Sequence, residues 1–180
     1  MEYQLSFIDV FKSLFFPADY FFVLTFLGAP IFVAVVIYHS IKNRTAQLAI
    51  IVAGIVIPSL ITFFALLPVN GSGWKFEEDE LAVKAWPIKD SIKLSSVKTM
   101  INNVPGNWEP SRRTRGYGTP GLGTGWFKLR NGKEAVVFKH GFSTKVVVIY
   151  TNDRYYVFSH PGVEKLYNEL IKRGAKMNEI

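Results

Sequence analysis

Two long stretches without a charged residue open the chain and constrain its fold more than any other feature. Residues 20–41 (22 residues) and residues 45–74 (30 residues) contain no Asp, Glu, Lys or Arg, and only Lys42, Asn43 and Arg44 separate them. A helix needs about 20 apolar residues to cross the hydrocarbon core of a bilayer, and lipid favours helices because every backbone polar group must be bonded internally. The sequence therefore predicts a two-helix transmembrane hairpin over residues 20–69, with spans of about residues 20–41 and 46–68.

The net charge of the chain belongs to the part that follows the hairpin. Residues 1–69 hold three basic and three acidic residues, whereas residues 70–180 hold 18 basic and 11 acidic residues and carry the whole net charge of +7. A basic domain beside a bilayer is attracted to anionic head groups. Nucleic acid is not expected as a partner, because the domain is predicted to be tethered to a membrane and no nucleic-acid-binding motif is present.

Residues 1–19, which precede the first span, form an N-terminal segment with an amphipathic pattern. Apolar residues recur there at helical spacing: Leu5, Ile8, Phe11 and Phe15. The pattern fits a short interfacial helix in the head-group region. It fits equally well an early extension of the first membrane helix.

A short linker is predicted between the second span and the soluble domain. Residues 70–73 read Asn-Gly-Ser-Gly, which is typical of a flexible connection, so the linker is assigned to residues 70–75. Trp74 and Phe76 are placed where aromatic residues commonly anchor at a membrane interface.

The connecting loop of the hairpin predicts the orientation in the membrane. Lys42 and Arg44 lie within three residues of each other, and the positive-inside rule keeps such a loop in the cytoplasm. We therefore expect a multi-pass protein of the cell membrane, with both termini and the soluble domain outside the cytoplasm.

The region after the linker predicts a mainly-β domain. Short candidate strands lie around residues 81–83 and 88–94, with a less regular stretch over 97–101. The strongest strand patterns cover residues 125–129, 134–138, 145–150 and 154–158. Asn131-Gly132 is a strong hairpin signal and residues 151–153 form a second tight turn, so the strands are expected to form an antiparallel meander.

One amphipathic helix is predicted at the C-terminal end of the domain. Pro161 fits the first helical turn, and Gly174 fits the helix end. The apolar face consists of Val163, Leu166, Tyr167, Leu170 and Ile171. The domain is assigned to residues 76–174, which leaves residues 175–180 as a tail.

The C-terminal half resembles a known family. The run from Arg115 to Leu129 (RGYGTPGLGTGWFKL), the strands after it, and residues 156–161 (YVFSHP) are similar to bacterial pleckstrin-homology-like (PH-like) domains attached to membrane spans, over roughly residues 76–173. The resemblance implies two nearly orthogonal sheets, seven strands and a helix that plugs one open end. The expected fold is therefore an α-helical transmembrane hairpin followed by a mainly-β PH-like barrel or sandwich with a C-terminal capping α-helix. The resemblance implies no ligand-binding residues, because the basic first hairpin of the eukaryotic phosphoinositide pocket has no match here.

A basic and glycine-rich run gives the best residue-level hypothesis. The predicted anion-binding residues are Arg112, Arg113, Arg115, Gly116 and Gly118. Guanidinium groups beside exposed backbone amides suit the phosphate of a lipid or a polyanionic glycan. The structural alternative is a loop whose glycines permit unusual dihedral angles and close packing. The GxGxxG string in this run does not predict a dinucleotide site, because a strand rather than a helix follows it.

No catalytic or metal-binding residues are predicted. His39, His140 and His160 lie far apart in the sequence without metal-ligand spacing, and the chain has no cysteine. The sequence instead places His140-Gly141 in a hairpin turn and His160 at a helix cap. No cofactor is expected, and the protein is not expected to be an enzyme.

Two functions follow from these observations. The first is a membrane-anchored interaction module that binds a protein, a peptide or an anionic surface such as a lipid or an envelope polymer. The alternative is an accessory subunit of a larger membrane transport or secretion assembly, with the hairpin as its contact surface.

Overall fold

The computed structural model describes residues 1–14, 28–40 and 43–177. The helices of this part are α1 (Phe7–Ser13), α2 (Ala29–Ser40), α3 (Arg44–Leu66) and α4 (Glu164–Lys172), with short 3-10 turns at Leu67–Val69 and Leu94–Ser96. The strands are β1 (Glu2–Gln4), β2 (Gly73–Glu77), β3 (Glu80–Ala85), β4 (Ile88–Lys93), β5 (Lys98–Asn103), β6 (Pro110–Thr119), β7 (Leu122–Leu129), β8 (Glu134–His140), β9 (Lys145–Thr151), β10 (Arg154–Ser159) and β11 (Lys176–Met177).

The strands form two sheets. The smaller sheet has the order β1-β2-β3-β4 and is antiparallel throughout. The larger sheet has the order β11-β5-β9-β10-β8-β7-β6. The two sheets and the C-terminal helix confirm the mainly-β expectation for the PH-like region.

The prediction of a simple antiparallel meander is wrong at one place. Strand β10 lies between β8 and β9 and runs parallel to β8. His140 and Gly141 therefore do not form a hairpin turn, and the Gly141 N–H donates to the Gly121 carbonyl at 2.8 Å. A local turn signal shows that the chain reverses, but it does not show which strands pair afterwards.

The strongest strand predictions and both turns are confirmed. Strands β7 to β10 cover all four predicted runs and extend each of them by one or more residues. Asn152 and Asp153 adopt positive φ in the turn between β9 and β10, and Gly132 does so between β7 and β8. These turns form where predicted because Asn, Asp and Gly tolerate the left-handed conformation.

Two apolar clusters cover opposite faces of the larger sheet. The main cluster lies between the two sheets and includes Trp74, Leu81, Phe138 and Phe158. Helix α4 closes it with Leu166 and Leu170, which are fully buried, and Val163, just before the helix, is buried with them. The second cluster lies under Trp108 and includes Phe127, Leu129 and Val157.

The ends of helix α4 differ slightly from the prediction. The helix begins at Glu164, after a turn in which the His160 carbonyl accepts from the Val163 N–H, so Pro161 precedes the helix. Gly174 closes the helix with φ +90 and is confirmed. The predicted tail instead begins with a buried Ala175 and the short strand β11, which pairs parallel to β5.

The N-terminal segment is part of the domain, which the sequence did not reveal. Strand β1 pairs with β2, and Leu5 and Val10 are buried in the main cluster. Ser6 caps helix α1: its hydroxyl donates to Asp9 Oδ2 at 2.7 Å and accepts from the Asp9 N–H at 3.2 Å. Residues 1–14 therefore form a strand and a helix on the PH-like domain, ahead of the apolar helices.

The predicted linker over residues 70–75 is wrong. Gly73 begins strand β2, and the Gly71 and Leu5 N–H groups donate to the Leu5 and Ser72 carbonyls at 2.8 and 2.9 Å. Trp74 and Phe76 are 2% and 6% exposed, so they are core residues rather than interfacial anchors. The pairing of β1 with β2 removes the freedom that the glycines would otherwise give this segment.

One described helix is long and apolar enough to cross a membrane. It covers residues Arg44–Val69, with a mean hydropathy of 2.7 and 6% of its most apolar window buried. Helix α2 covers part of the predicted first span and packs against α3, where Gln47 Nε2 donates to the Tyr38 carbonyl at 3.2 Å. The rest of that span lies outside the described residues, so the two-span hairpin stays a prediction.

Candidate functional site

The predicted anion-binding residues lie on an edge strand rather than in a loop. All five belong to β6: Arg112, Arg113, Arg115, Gly116 and Gly118. Strand β6 pairs with β7 and forms one edge of the larger sheet. The loop prediction is therefore wrong, because cross-strand pairing satisfies the backbone groups of the glycines, which contribute little strand preference of their own.

Two of the glycines are required by the packing between the sheets. Gly116 and Gly125 face each other across the hairpin with φ +125 and +109. A β-carbon on either residue would lie within 2.9 Å of the carbonyl oxygen of Trp86, in the turn between β3 and β4. Thr124 Oγ1 donates to the same oxygen at 3.2 Å. The structural interpretation of the glycine-rich run is confirmed at this pair.

The three arginines do not share one face of the sheet. Arg112 is paired with Lys128 and Arg115 with Trp126, whereas Arg113 is paired with Phe127. Directly opposed residues of an antiparallel pair lie on the same face, and successive positions of β7 alternate between faces. Arg112 and Arg115 thus lie with Lys128 on one face, and Arg113 lies on the other.

The side chain of Arg113 packs over Gly118. A β-carbon at Gly118 would lie 3.5 Å from Arg113 Cδ and 3.6 Å from Arg113 Nη1. Opposite Gly118, a β-carbon at Gly123 would lie 3.7 Å from Lys139 Cβ. The sequence did not point to Lys128 or Lys139. Lys128 lies beside Arg112 through the register of β6 with β7, whereas the predicted turn at Asn131-Gly132 joins β7 to β8 and pairs Lys128 with Glu134.

The hairpin β6–β7 is a basic surface with no acidic residue of its own. The neighbouring strand β8 contributes Glu134, which lies opposite Lys128 and accepts from the Thr114 hydroxyl at 2.8 Å. Residues 110–129 contain Arg112, Arg113, Arg115 and Lys128 and no Asp or Glu, and all four side chains are exposed. Within the described residues, no hydrogen bond or ion pair occupies the three guanidinium groups. Neighbouring cations differ in this respect, since Arg130 pairs with Glu109 and Arg154 pairs with Asp90, both at 2.9 Å. The hairpin cations are therefore available to an external anion.

A second polar cluster joins the N-terminal strand to the domain. Tyr3 lies between two histidines that are far apart from it in sequence: its hydroxyl is 2.7 Å from His140 Nδ1, and its ring stacks on His160 at 3.8 Å. Trp74 Nε1 donates to His160 Nε2 at 2.9 Å. His160 is thus a core residue, and its side chain does not cap a helix.

The electrostatics of this cluster indicate a structural role. Burial lowers the pKa of His160 to about 4, and burial also lowers the pKa of His140. Both rings are therefore neutral at pH 7. In the described part of the chain, no group of three or more His, Asp or Glu side chains could hold a metal ion. The cluster serves to hold β1 against the domain.

The comparisons with known proteins identify the domain. The family model described as bacterial PH domain matches residues 74–174. No curated protein and no solved structure matches the chain significantly. The match covers more than half of the chain and coincides with strands β2 to β10 and helix α4, although the N-terminal strand β1 lies outside it. The chain therefore belongs to the bacterial PH domain family.

Proposed function

We propose that this protein is a membrane-tethered PH module that binds anionic ligands through its basic hairpin. The tether is the apolar helix of residues 44–69, and the predicted first span would complete a hairpin in the bilayer. The exposed side chains of this helix support the tether, since 6% of its most apolar window is buried. A helix that is apolar on all sides and not covered by protein is suited to lipid.

One observation carries the choice of ligand. The hairpin β6–β7 presents four exposed cations and three guanidinium groups without an internal partner among the described residues, against one neighbouring carboxylate, that of Glu134 on β8. Guanidinium forks bind the paired oxygens of phosphates and carboxylates. The ligand class is therefore an oxyanion, from a lipid head group or from a polyanionic envelope polymer. This role is binding rather than catalysis.

Removing two hairpin charges should weaken binding to anionic vesicles. With the full chain in phosphatidylcholine nanodiscs, we expect Arg112→Ala with Arg113→Ala to weaken capture of added phosphatidylglycerol vesicles by about 2 kcal/mol, or roughly thirtyfold, because each cation near a charged surface contributes about 1 kcal/mol. Binding should also fall as salt is raised. A parallel titration with soluble poly(glycerol phosphate), without vesicles, separates the two sources of the oxyanion. Only a protein that recognises the polymer would bind it in the absence of a bilayer.

A matched variant controls for net charge. Lys165→Ala with Lys172→Ala removes the same charge from exposed positions of helix α4, away from the hairpin. We expect this variant to bind the vesicles as the unmodified protein does. Equal losses for both variants, or no loss for the arginine variant, would contradict the proposed site.

We also propose that the domain lies outside the cytoplasm, as the loop charges predict. The chain has no cysteine, and Thr144 is exposed between β8 and β9. We expect Thr144→Cys to react with a membrane-impermeant maleimide in intact cells, after removal of any outer barrier. Reaction only after the cytoplasmic membrane is broken would place the domain in the cytoplasm and overturn this assignment.

A further inference from the structure

We propose that the basic hairpin binds head groups of the same bilayer that holds α3, with Trp86 lying in the interface beside it. This inference rests on the proposed function and names its ligand: anionic phospholipid, bound in cis. It requires that the domain is fixed to α3 and that the hairpin lies at the end of the domain that joins α3. It also requires that positive charge is concentrated at that end.

The domain is fixed to α3 without a flexible joint. Leu66 and Val69, at the end of this helix, are buried in the main cluster of the domain. The Asn70 N–H donates to the Leu66 carbonyl at 3.2 Å, and the Ser72 N–H donates to the Val69 carbonyl at 3.0 Å. A segment with a buried backbone and buried side chains does not pivot freely. The orientation of the domain is therefore set by the orientation of the helix.

Helix α1 marks the level of the membrane surface. Its Phe7 ring lies 5.2 Å from the Phe63 ring near the end of α3. Ile8 is 62% exposed, whereas Val10 on the opposite face of α1 is buried in the domain. The single acidic residue of α1, Asp9, accepts hydrogen bonds from Ser6 within the helix cap. A helix with one face on the protein and an exposed apolar face beside a membrane helix suits the boundary between head groups and acyl chains.

The middle of the basic hairpin, next to Arg115, packs against this same end of the domain. Lys84 of β3 donates from Nζ to the Asn70 carbonyl at 2.6 Å, directly after α3. Two residues later, Trp86 forms the turn whose carbonyl packs against Gly116 and Gly125 of the hairpin. One short turn thus connects the end of α3 to strands β6 and β7, and Trp86 is 38% exposed there.

Basic and acidic side chains of the smaller sheet lie at opposite ends of the sheet, and the basic ones lie at the end nearer α3. The row nearest α3 pairs Gly73, Lys84 and Lys89 across β2, β3 and β4. The row at the far end pairs Glu77, Glu80 and Lys93, and Glu78 and Asp79 form the adjoining turn. The basic row and the basic hairpin therefore share the end that joins α3, and the acidic turn lies at the other. An anionic head-group layer attracts the first end and repels the second.

The test measures how accessible Trp86 is to a neutral aqueous quencher. The full chain is placed in nanodiscs of phosphatidylcholine alone or with phosphatidylglycerol, and the emission due to Trp86 is obtained by difference from Trp86→Phe. We expect anionic lipid to shift this emission to the blue and to reduce its quenching by acrylamide. High salt should abolish the difference, because screening is nearly complete within a few ångströms at about 1 M. Quenching that is equal in the two lipids would overturn the proposal.

Charge variants at the two ends of the domain provide the control. Lys89→Gln with Arg115→Gln removes two charges from the α3 end and should abolish the lipid-dependent protection of Trp86. Lys93→Gln with Lys172→Gln removes the same charge elsewhere and should preserve it. Loss of protection in both pairs, or in neither, would overturn the inference.

The same nanodiscs separate this inference from the proposed function. If Trp86 remains equally quenchable while the protein in phosphatidylcholine discs captures added phosphatidylglycerol vesicles, the hairpin binds anions but does not face its own bilayer. The cis arrangement is then wrong and the proposed function stands. If neither protection nor capture occurs, both fail.

Discussion

Gly125→Ala is expected to unfold the PH domain or to destabilise it by about 4 kcal/mol or more. Gly125 has φ +109, and its added β-carbon would lie 2.4 Å from the Arg115 carbonyl oxygen and 2.8 Å from the Trp86 carbonyl oxygen. Both contacts are with backbone, which cannot move away without separating β6 from β7 or the β3–β4 turn from the hairpin. Urea unfolding of the full chain in nanodiscs, followed by near-ultraviolet circular dichroism, measures the loss.

A second glycine separates steric clash from backbone strain. Gly132 also has positive φ, at +83, but a β-carbon there would meet nothing within 4 Å. We expect Gly132→Ala to cost about 1 kcal/mol through conformational strain alone. If Gly125→Ala cost no more than Gly132→Ala, the close approach of the Trp86 carbonyl to the hairpin would be incorrect.

Acidification is expected to weaken the packing of strand β1 against the domain. His160 is 1% exposed, and its Nε2 accepts from Trp74 Nε1, so the proton of the neutral ring lies on Nδ1, 3.0 Å from the Pro161 carbonyl oxygen. Protonation of Nε2 would place two N–H donors against each other in a buried site. Burial accordingly lowers the pKa of His160 from 6.5 to about 4.

The lowered pKa of His160 determines in which direction the folding stability changes with pH. The unfolded chain takes up the proton as the pH falls through 6.5, whereas the folded chain resists until about 4. The stabilisation is complete above pH 6.5 and is lost between pH 6.5 and about 4, by up to about 3 kcal/mol for the full shift. His140 acts in the same direction, because burial lowers its pKa as well, against a smaller opposing effect of Asp9.

The measurement compares unfolding free energies of the protein and His160→Gln across this pH range. Glutamine can still accept from Trp74 but does not titrate, so the variant should be less stable at pH 7 and should lose less stability on acidification. Two pH profiles of the same slope would show that His160 does not carry the acid sensitivity.

The parts of the fold that depend on local chemistry could be predicted from the sequence. The apolar, β-branched and aromatic runs of strands β7 to β10, the Asn131-Gly132 turn and the apolar face of α4 each reflect residues that are close in the chain. The long apolar stretch that became α3 depends only on composition. These features were therefore visible from neighbouring residues alone.

The candidate site was predicted only in part for the same reason. The identity of the cations was visible in the sequence, and Arg112, Arg113 and Arg115 are indeed exposed. Their distribution over two faces depends on the pairing of β6 with β7 and on the register shifts within β6. Lys84 and Trp86 join this end of the domain through contacts between strands distant in sequence, and Lys128 joins the arginines through the register of the β6–β7 hairpin.

By itself, the sequence determined an apolar N-terminal region, a basic mainly-β domain of the PH type and the positions of most strands. These features depend on apolar runs, turn residues and charge, which are properties of short segments. Only the tertiary structure decided that β1 completes the smaller sheet, that Trp74 and His160 lie in the core, and that the glycine-rich run is an edge hairpin. Each of these depends on partners 70 or more residues away, or on backbone contacts that only glycine permits. Such contacts leave no periodic signal in the sequence, since their free energy arises from surfaces that meet only after the chain has folded.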